Sequence, residues 1–178
     1  MSERDFEQVG GERVHEGEVV EVTHDRFAYP DGRQVERDVV RHPGGVNVVA
    51  HDGTHVLLVR QPREATGDPD MLQLPAGRFD REGESPLELA QHELAEEAGV
   101  RAATWEHLHA FHPAPDLSDQ LTHLYLATDL APAQADPDDE ERIEPVRWPL
   151  ERLDDAIAAC RDGATLVGLL WLARRLGR

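Results

Sequence analysis

The stretch "LPAGRFDREGESPLELAQHELAEEAGV", residues 74–100, sets a Pro-Ala-Gly turn shortly before a glutamate-rich helix. Ser85 at the N-cap, Pro86 at the first helical position and Glu88 three residues after the serine form a helix start. Gly99 marks the stop, because glycine readily takes the left-handed conformation that ends helices. The spacing predicts a helix from about Pro86 to Ala98, with Leu87, Ala90 and Leu94 as the apolar stripe facing the core. Glu93, Glu96 and Glu97 fall at i, i+3 and i+4 on an adjoining face, and Glu84 sits just before the first turn. Like charges at these spacings repel, so the cluster calls for a counter-charge. A solvated acidic face paired with arginines is the commoner use of such a run. Hard divalent cations are the other, since they take oxygen ligands from a few carboxylates, water and phosphate. The turn favours the cation: Pro75 holds Leu74 extended, and Gly77 frees the backbone so that the Ala76 carbonyl can face the same ion.

On either side of this stretch the segments are short and mixed. "GEVVEVTHDRFAYPDGRQVERDVVRHPG" reads as two strands around a Pro-Asp-Gly turn. "GGVNVVAHDGTHVLLVRQ" repeats the pattern, with an Asp-Gly turn before Val56 to Val59. "TWEHLHAFHPA" and "LTHLYLATDL" read as two further strands, and "ADPDDEERIEPVRWPL" as a loop entering a short one. "LDDAIAACRDG" and "ATLVGLLWLARRLGR" are helical, the second with Leu166, Leu169, Leu170, Ala173 and Leu176 at helical spacing. Strands, one helix, strands and then helices make a mixed α/β or α+β chain, not an alternating doubly wound one.

Composition bounds the function. The 178 residues suit one domain, with no apolar run long enough for a membrane span and no secretory signal order at the N-terminus. These features, with the single Cys160 read as a small buried thiol, predict a cytoplasmic protein. Asp and Glu number 36 against 18 for Lys and Arg, every fixed cation is an arginine, and the net charge is -18. Such a balance disfavours nucleic acid, yet it permits a small phosphorylated ligand where a metal ion and a few arginines reverse the local field.

The quoted stretch resembles the Nudix box, whose usual form is Gly, five residues, Glu, seven residues, then Arg-Glu-apolar-x-Glu-Glu-x-Gly-apolar. Glu84, seven residues, and His92-Glu93-Leu94-Ala95-Glu96-Glu97-Ala98-Gly99-Val100 follow it. Gly77 precedes Glu84 by one residue more than usual, a variation associated with the ADP-ribose pyrophosphatase branch, and His92 occupies the arginine position. "VVRHPGGVNVVAHDGTHVLLVRQPRE", "PAPDLSDQLTHLYLA" and "IEPVRWPL" also resemble that branch, and Pro115 stands where its members carry a marker proline.

The resemblance implies a Nudix α/β/α sandwich with a mixed sheet and an N-terminal hairpin region. It places residues 1–42 as a region for dimerisation and substrate contacts and residues 43–178 as the hydrolase domain. The implied activity is Mg²⁺-dependent hydrolysis of ADP-ribose to AMP and ribose 5-phosphate, with Mn²⁺ as an alternative metal. The Ala76 carbonyl, Glu93 and Glu97 are the implied metal ligands, Glu96 an additional ligand or water-mediated contact, and Glu84 and His92 supporting residues; Glu93 and Glu96 thereby count as catalytic. Arg63 matches a diphosphate-binding arginine, and Arg41 a substrate arginine supplied across a homodimer interface. Counting back from "RWPL" favours Glu140 as general base, with Asp139 and Glu141 next and Asp138 and Glu144 in the same run.

Departures bear on the substrate. Gln73 replaces the glutamate usual before the Pro-Ala-Gly turn, Gln120 replaces a common acid, and Glu36 stands where some relatives place an adenine-stacking aromatic. Phe27 or Tyr29 can stack instead, although an aromatic in a hairpin is more often packing. Histidine has an unperturbed pKa near ~6.5, so His92 substitutes for the arginine only where Glu84 and Glu96 hold it cationic. Two alternatives stay open: a Nudix hydrolase of another nucleoside diphosphate sugar or a nucleoside triphosphate, and a non-catalytic ADP-ribose sensor.

Overall fold

The computed structural model describes residues 5–133 and 142–178. It divides into two compact units, Met1–Gly44 with His112–Leu121, and Gly45–Phe111 with Thr122–Arg178. Among the described residues no helix is long and apolar enough to cross a membrane.

The first unit is an antiparallel sheet of β1 (Glu7–Glu16), β2 (Glu21–Ala28) and β3 (Gln34–Arg41), in that order. The expected hairpin is β2 with β3. Its turn closes as Gly32 N–H donates to the Tyr29 carbonyl at 3.0 Å, with Gly32 at φ +85°, a value that suits glycine. β1 escaped the sequence reading for a physical reason. Nine of its ten positions are exposed, so no apolar alternation marks it. The 112–121 segment joins this unit through Val40, whose N–H donates to the Leu117 carbonyl at 2.9 Å and whose carbonyl accepts from Ser118 Oγ at 2.8 Å.

The second unit contains β4 (Gly45–His51), β5 (His55–Arg63), β6 (Asp68–Gln73), β7 (Ala76–Arg78), α1 (Pro86–Ala98), β8 (Val100–Phe111), β9 (Thr122–Pro132), β10 (Glu144–Pro149), α2 (Leu153–Ala159) and α3 (Gly163–Arg175). Its seven-stranded sheet runs β10-β5-β4-β9-β8, with β6 beside β5 and β7 beside β4. β4 and β9 are parallel and the other pairs antiparallel. Central β4 is buried on both faces, as its apolar run, interrupted only by the buried Asn47, requires. Val49 joins Leu74, Leu124, Leu169 and Leu172 on the side of α2 and α3, whereas Val46, Val48 and Ala50 join Leu89, Ala90 and Leu94 of α1. Helices on both faces of a mixed sheet make the α/β/α sandwich.

Two apolar stripes lie differently from the sequence expectation. On α1 the buried residues are Leu89, Ala90, Leu94 and Glu97, while Leu87 is 37% exposed. The helix is turned so that Glu97, not Leu87, reaches the sheet. On α3 the buried side is Thr165, Gly168, Leu169, Leu172 and Ala173, with Leu170 and Leu176 exposed. That helix is apolar nearly all round, so periodicity alone does not choose its face. Polar and steric detail does: Thr165 Oγ1 accepts from Leu74 N–H at 2.9 Å, and a Cβ at Gly168 would overlap Leu74 and Val49.

A bulge in the β8–β9 pairing between His107 and His109 accompanies the approach of His107 Nε2 to His123 Nδ1, 3.3 Å apart. Burial first, and His107 second, hold the His123 imidazole below its usual range. A lowered folded pKa means the unfolded chain takes up the proton first. Stability from this site is therefore complete above the unfolded value of about 6.5 and declines as pH falls from there through the folded value. Urea unfolding at pH 7.5 and 5.5 is expected to show a lower midpoint in acid, and a smaller difference in His123→Gln; an unchanged difference would contradict the assignment.

Candidate active site

The ends of α1 are fixed as its sequence requires. Ser85 Oγ accepts from Glu88 N–H at 3.3 Å, Glu88 Oε2 accepts from Ser85 N–H at 2.9 Å, and Gly99 closes the helix at φ 65°. Between helix and sheet lies the Pro-Ala-Gly turn, pinned where the Pro75 carbonyl accepts from Val48 N–H at 2.9 Å. β7 then pairs with β4, Val46 opposite Gly77. A Cβ on Gly77 would overlap the Glu93 carboxylate, and one on Gly45 would overlap the Gly77 carbonyl. Glycine is needed at both positions for close approach.

Glu97 is 6% exposed, and its Oε2 accepts from the Ala76 N–H at 2.7 Å. The main-chain amide of Ala76 is thus the group that meets the helix. Glu84 has a side chain only 6% exposed, with Oε1 2.6 Å from His92 Nδ1 and Oε2 buried without a hydrogen-bond partner among the described residues. A buried carboxylate oxygen left unpaired is costly. The structure therefore sets Glu97 on Ala76, Glu93 against Gly77 and Glu84 on His92. Glu96 lies at the exposed margin.

Arg81 was not singled out by the sequence. Its Nη1 lies 3.3 Å from His92 Nδ1 and 4.0 Å from Glu84 Oε1, and its Nη2 lies 3.9 Å from Glu96 Oε1. The signal for it was the extra residue between Gly77 and Glu84, which lengthens the loop that carries it. A fixed guanidinium thus stands beside the histidine that replaces the usual arginine.

Among the described residues no group of three or more Asp, Glu, His or Cys side chains is arranged to hold a metal ion by itself. The donor chemistry nevertheless fits a hard divalent cation. Glu84 carries an orphaned buried oxygen, Glu93 and Glu97 supply carboxylates, and water and phosphate oxygens commonly fill the remaining positions on such ions.

Also in the second unit, Arg63 Nε donates to Gln73 Oε1 at 2.6 Å. In the first unit, Phe27 and Arg41 line one cavity of about 540 Å³, with Phe6, Tyr29, Arg37 and Pro115 among its other walls. The Phe27 and Phe6 rings meet edge to face with centroids 5.6 Å apart, and Tyr29 lies 6.0 Å from Phe6. Arg41 commits its donors within this unit: Nε to Thr23 Oγ1 at 3.2 Å, Nη1 to Asp119 Oδ2 at 3.1 Å, and Nη2 to the buried Asp25. Burial opposes ionisation of Asp119, but the His42 N–H and Arg41 outweigh it and hold its carboxyl below the usual range. Glu36 pairs with Arg26 at 3.1 Å, which accounts for an acid at that position. Glu144 opens β10, opposite Arg60. Glu140, with Asp138, Asp139 and Glu141, lies outside the described residues.

Known proteins are similar to this chain in sequence and fold. The ADP-ribose pyrophosphatase of Mycobacterium tuberculosis is 40% identical over 131 residues, which cover 73% of this chain and 63% of that protein's own length. The methanol dehydrogenase activator of Bacillus methanolicus is 30% identical over 166 residues, covering 90% of this chain and 89% of its own. A crystal structure of an ADP compounds hydrolase superposes with a TM-score of 0.82 at 23% identity, covering 100% of this chain and 99% of that one, which shows a shared fold. Residues 41–164 match the NUDIX domain, and with the glutamate helix docked on Ala76 and Gly77 this chain belongs to the Nudix family.

Proposed function

We propose that this protein is a divalent-metal-dependent pyrophosphohydrolase that cleaves the diphosphate of ADP-ribose into AMP and ribose 5-phosphate. The observation that carries the reading is the packing of Glu93 and Glu97 against Gly77 and Ala76, which gathers carboxylates on one side of α1. The resemblance to an ADP-ribose pyrophosphatase supplies the substrate.

In this reading Glu93, Glu97 and the Ala76 carbonyl hold Mg²⁺ or Mn²⁺, Glu96 adds a ligand or a water contact, and Glu84 supports them. When bound, the ion neutralises phosphate charge and lowers the pKa of a coordinated water. Arg63 binds diphosphate oxygens, for which a guanidinium suits by geometry and charge. Glu140 takes the proton of the attacking water. In a homodimer, Phe27, on the wall of a first-unit cavity with Tyr29 and Phe6, offers a ring face to the adenine of the substrate bound by the partner subunit. Arg41, held by Asp25 and Asp119, shapes that cavity, and we assign it this role ahead of direct contact because its donors are already engaged.

Incubation with ADP-ribose and Mg²⁺ is expected to release AMP and ribose 5-phosphate in equal amounts, faster than the products of other nucleoside diphosphate sugars or of triphosphates. A preference for a triphosphate, or tight ADP-ribose binding without AMP release, would overturn this assignment.

A further inference from the structure

His107 and His123 face one another across β8 and β9, and neither belongs to the carboxylates on α1. His107 pairs with Tyr125, so in an unbroken antiparallel register the partner of His123 would be His109. The bulge puts Ala110 there instead. Its methyl group leaves room beside His123, and the His107 ring leans into it until its Nε2 stands 3.3 Å from His123 Nδ1.

Other rings hold this pair in place. Tyr125 lies against His107 with centroids 5.1 Å apart, Trp105 lies 6.3 Å from Tyr125, and Phe79 meets His123 edge to face at 6.5 Å. Such contacts fix the imidazoles without using their nitrogens. Among the described residues neither histidine is paired with a carboxylate, and the two ring nitrogens share a single hydrogen bond.

The separation of those nitrogens has a chemical meaning. Two nitrogens each about 2.05 Å from a zinc ion, at the tetrahedral angle, lie about 3.3 Å apart. Burial and the neighbouring imidazole hold His123 below its usual pKa, which favours the neutral ring that binds metals. Imidazole suits zinc, nickel and copper, whereas magnesium takes oxygen.

We propose that His107 and His123 form a binding site for a zinc-like divalent ion, which replaces the proton they share and takes its remaining ligands from water. The ion ties β8, the edge strand of the sheet, to β9 across the bulge. Its chemistry is separate from that of the glutamates on α1, which suit hard cations. A net charge of -18 favours the approach of cations to either place.

The experiment is calorimetric titration of the full chain with zinc chloride at neutral pH in excess Mg²⁺, with a thermal melt of every variant. His107→Gln and His123→Gln are each expected to weaken zinc binding about tenfold or more, since removing a group that only orients a metal ligand already costs that much. Glu93→Gln is expected to keep the imidazole-dependent binding. So is His24→Gln, which removes an exposed histidine set beside carboxylates in the first unit. Nitrogen-proton correlation spectra of the histidine rings identify the ligating atoms: Nε2 of His107 and Nδ1 of His123 are expected to shift when zinc is added. Parent-like zinc affinity in His107→Gln overturns the proposal, and that exposed position carries the test should His123→Gln not fold. Loss of all zinc binding in Glu93→Gln places the ion on α1 and overturns it as well. A parent that binds no zinc, or whose two ring signals stay unmoved by it, leaves only a hydrogen-bonded pair and sinks the site.

Discussion

Glu97→Gln and Glu93→Gln are each expected to lower kcat on ADP-ribose by about 10²-fold or more, the scale of removing an electrostatic contact from a transition state. Glutamine keeps the size of the side chain, and at position 97 its oxygen can still accept the Ala76 N–H that the carboxylate accepts now. What the substitution removes is the charge. The melting temperature is therefore expected to stay close to the parent's, or to rise, because a buried carboxylate carries a desolvation cost that an amide escapes. Steady-state kinetics across a Mg²⁺ series, with melts in parallel, check this. A soluble variant with normal turnover would take that glutamate out of the metal site.

Gly77→Ala is expected to cut activity as deeply by another route. The added methyl would overlap the Glu93 carboxylate, so either that side chain moves or β7 parts from α1. A displacement of about 1 Å in a positioned group can cost on the order of 10²-fold. Gly83→Ala is the control. That glycine has φ +81° but nothing within 4 Å of an added Cβ, so its substitution strains the backbone without touching Glu93. A loss confined to stability is expected at 83, against a loss of kcat at 77. Equal kinetic losses in the two variants would show that loop strain, not contact with Glu93, decides the outcome.

The sequence made α1 legible to its ends, because Ser85, Pro86, Glu88 and Gly99 are local signals whose physics does not depend on the rest of the chain. The hairpin around Gly32 and the strands β4 and β5 were readable for the same reason. Which residues face inward was less so. Leu87 lost its place to Leu89 and Glu97 because a distant backbone amide, Ala76 N–H, rewards burial of a carboxylate that hydropathy places outside. The engagement of Arg41 with Asp25 and Asp119 and the hold of Gln73 on Arg63 are likewise tertiary. No spacing in the chain announces them. The candidate carboxylates could be nominated from spacing because they lie within one helix and the loop before it.

The first unit is discontinuous: its three strands come from the N-terminus, yet Val40 is bonded to Leu117 and Ser118, almost eighty residues later. Its closure is therefore a long-range event, and such loops are slow to form. On the ribosome the N-terminal strands are synthesised first, but this unit can be completed only after β8 has emerged. Pulse-labelled hydrogen exchange during refolding is expected to protect the Val40 amide later than the amides inside α1. The hairpin that opens the chain is then among the last parts to become permanent, and its synthesis order is the reverse of its order of consolidation.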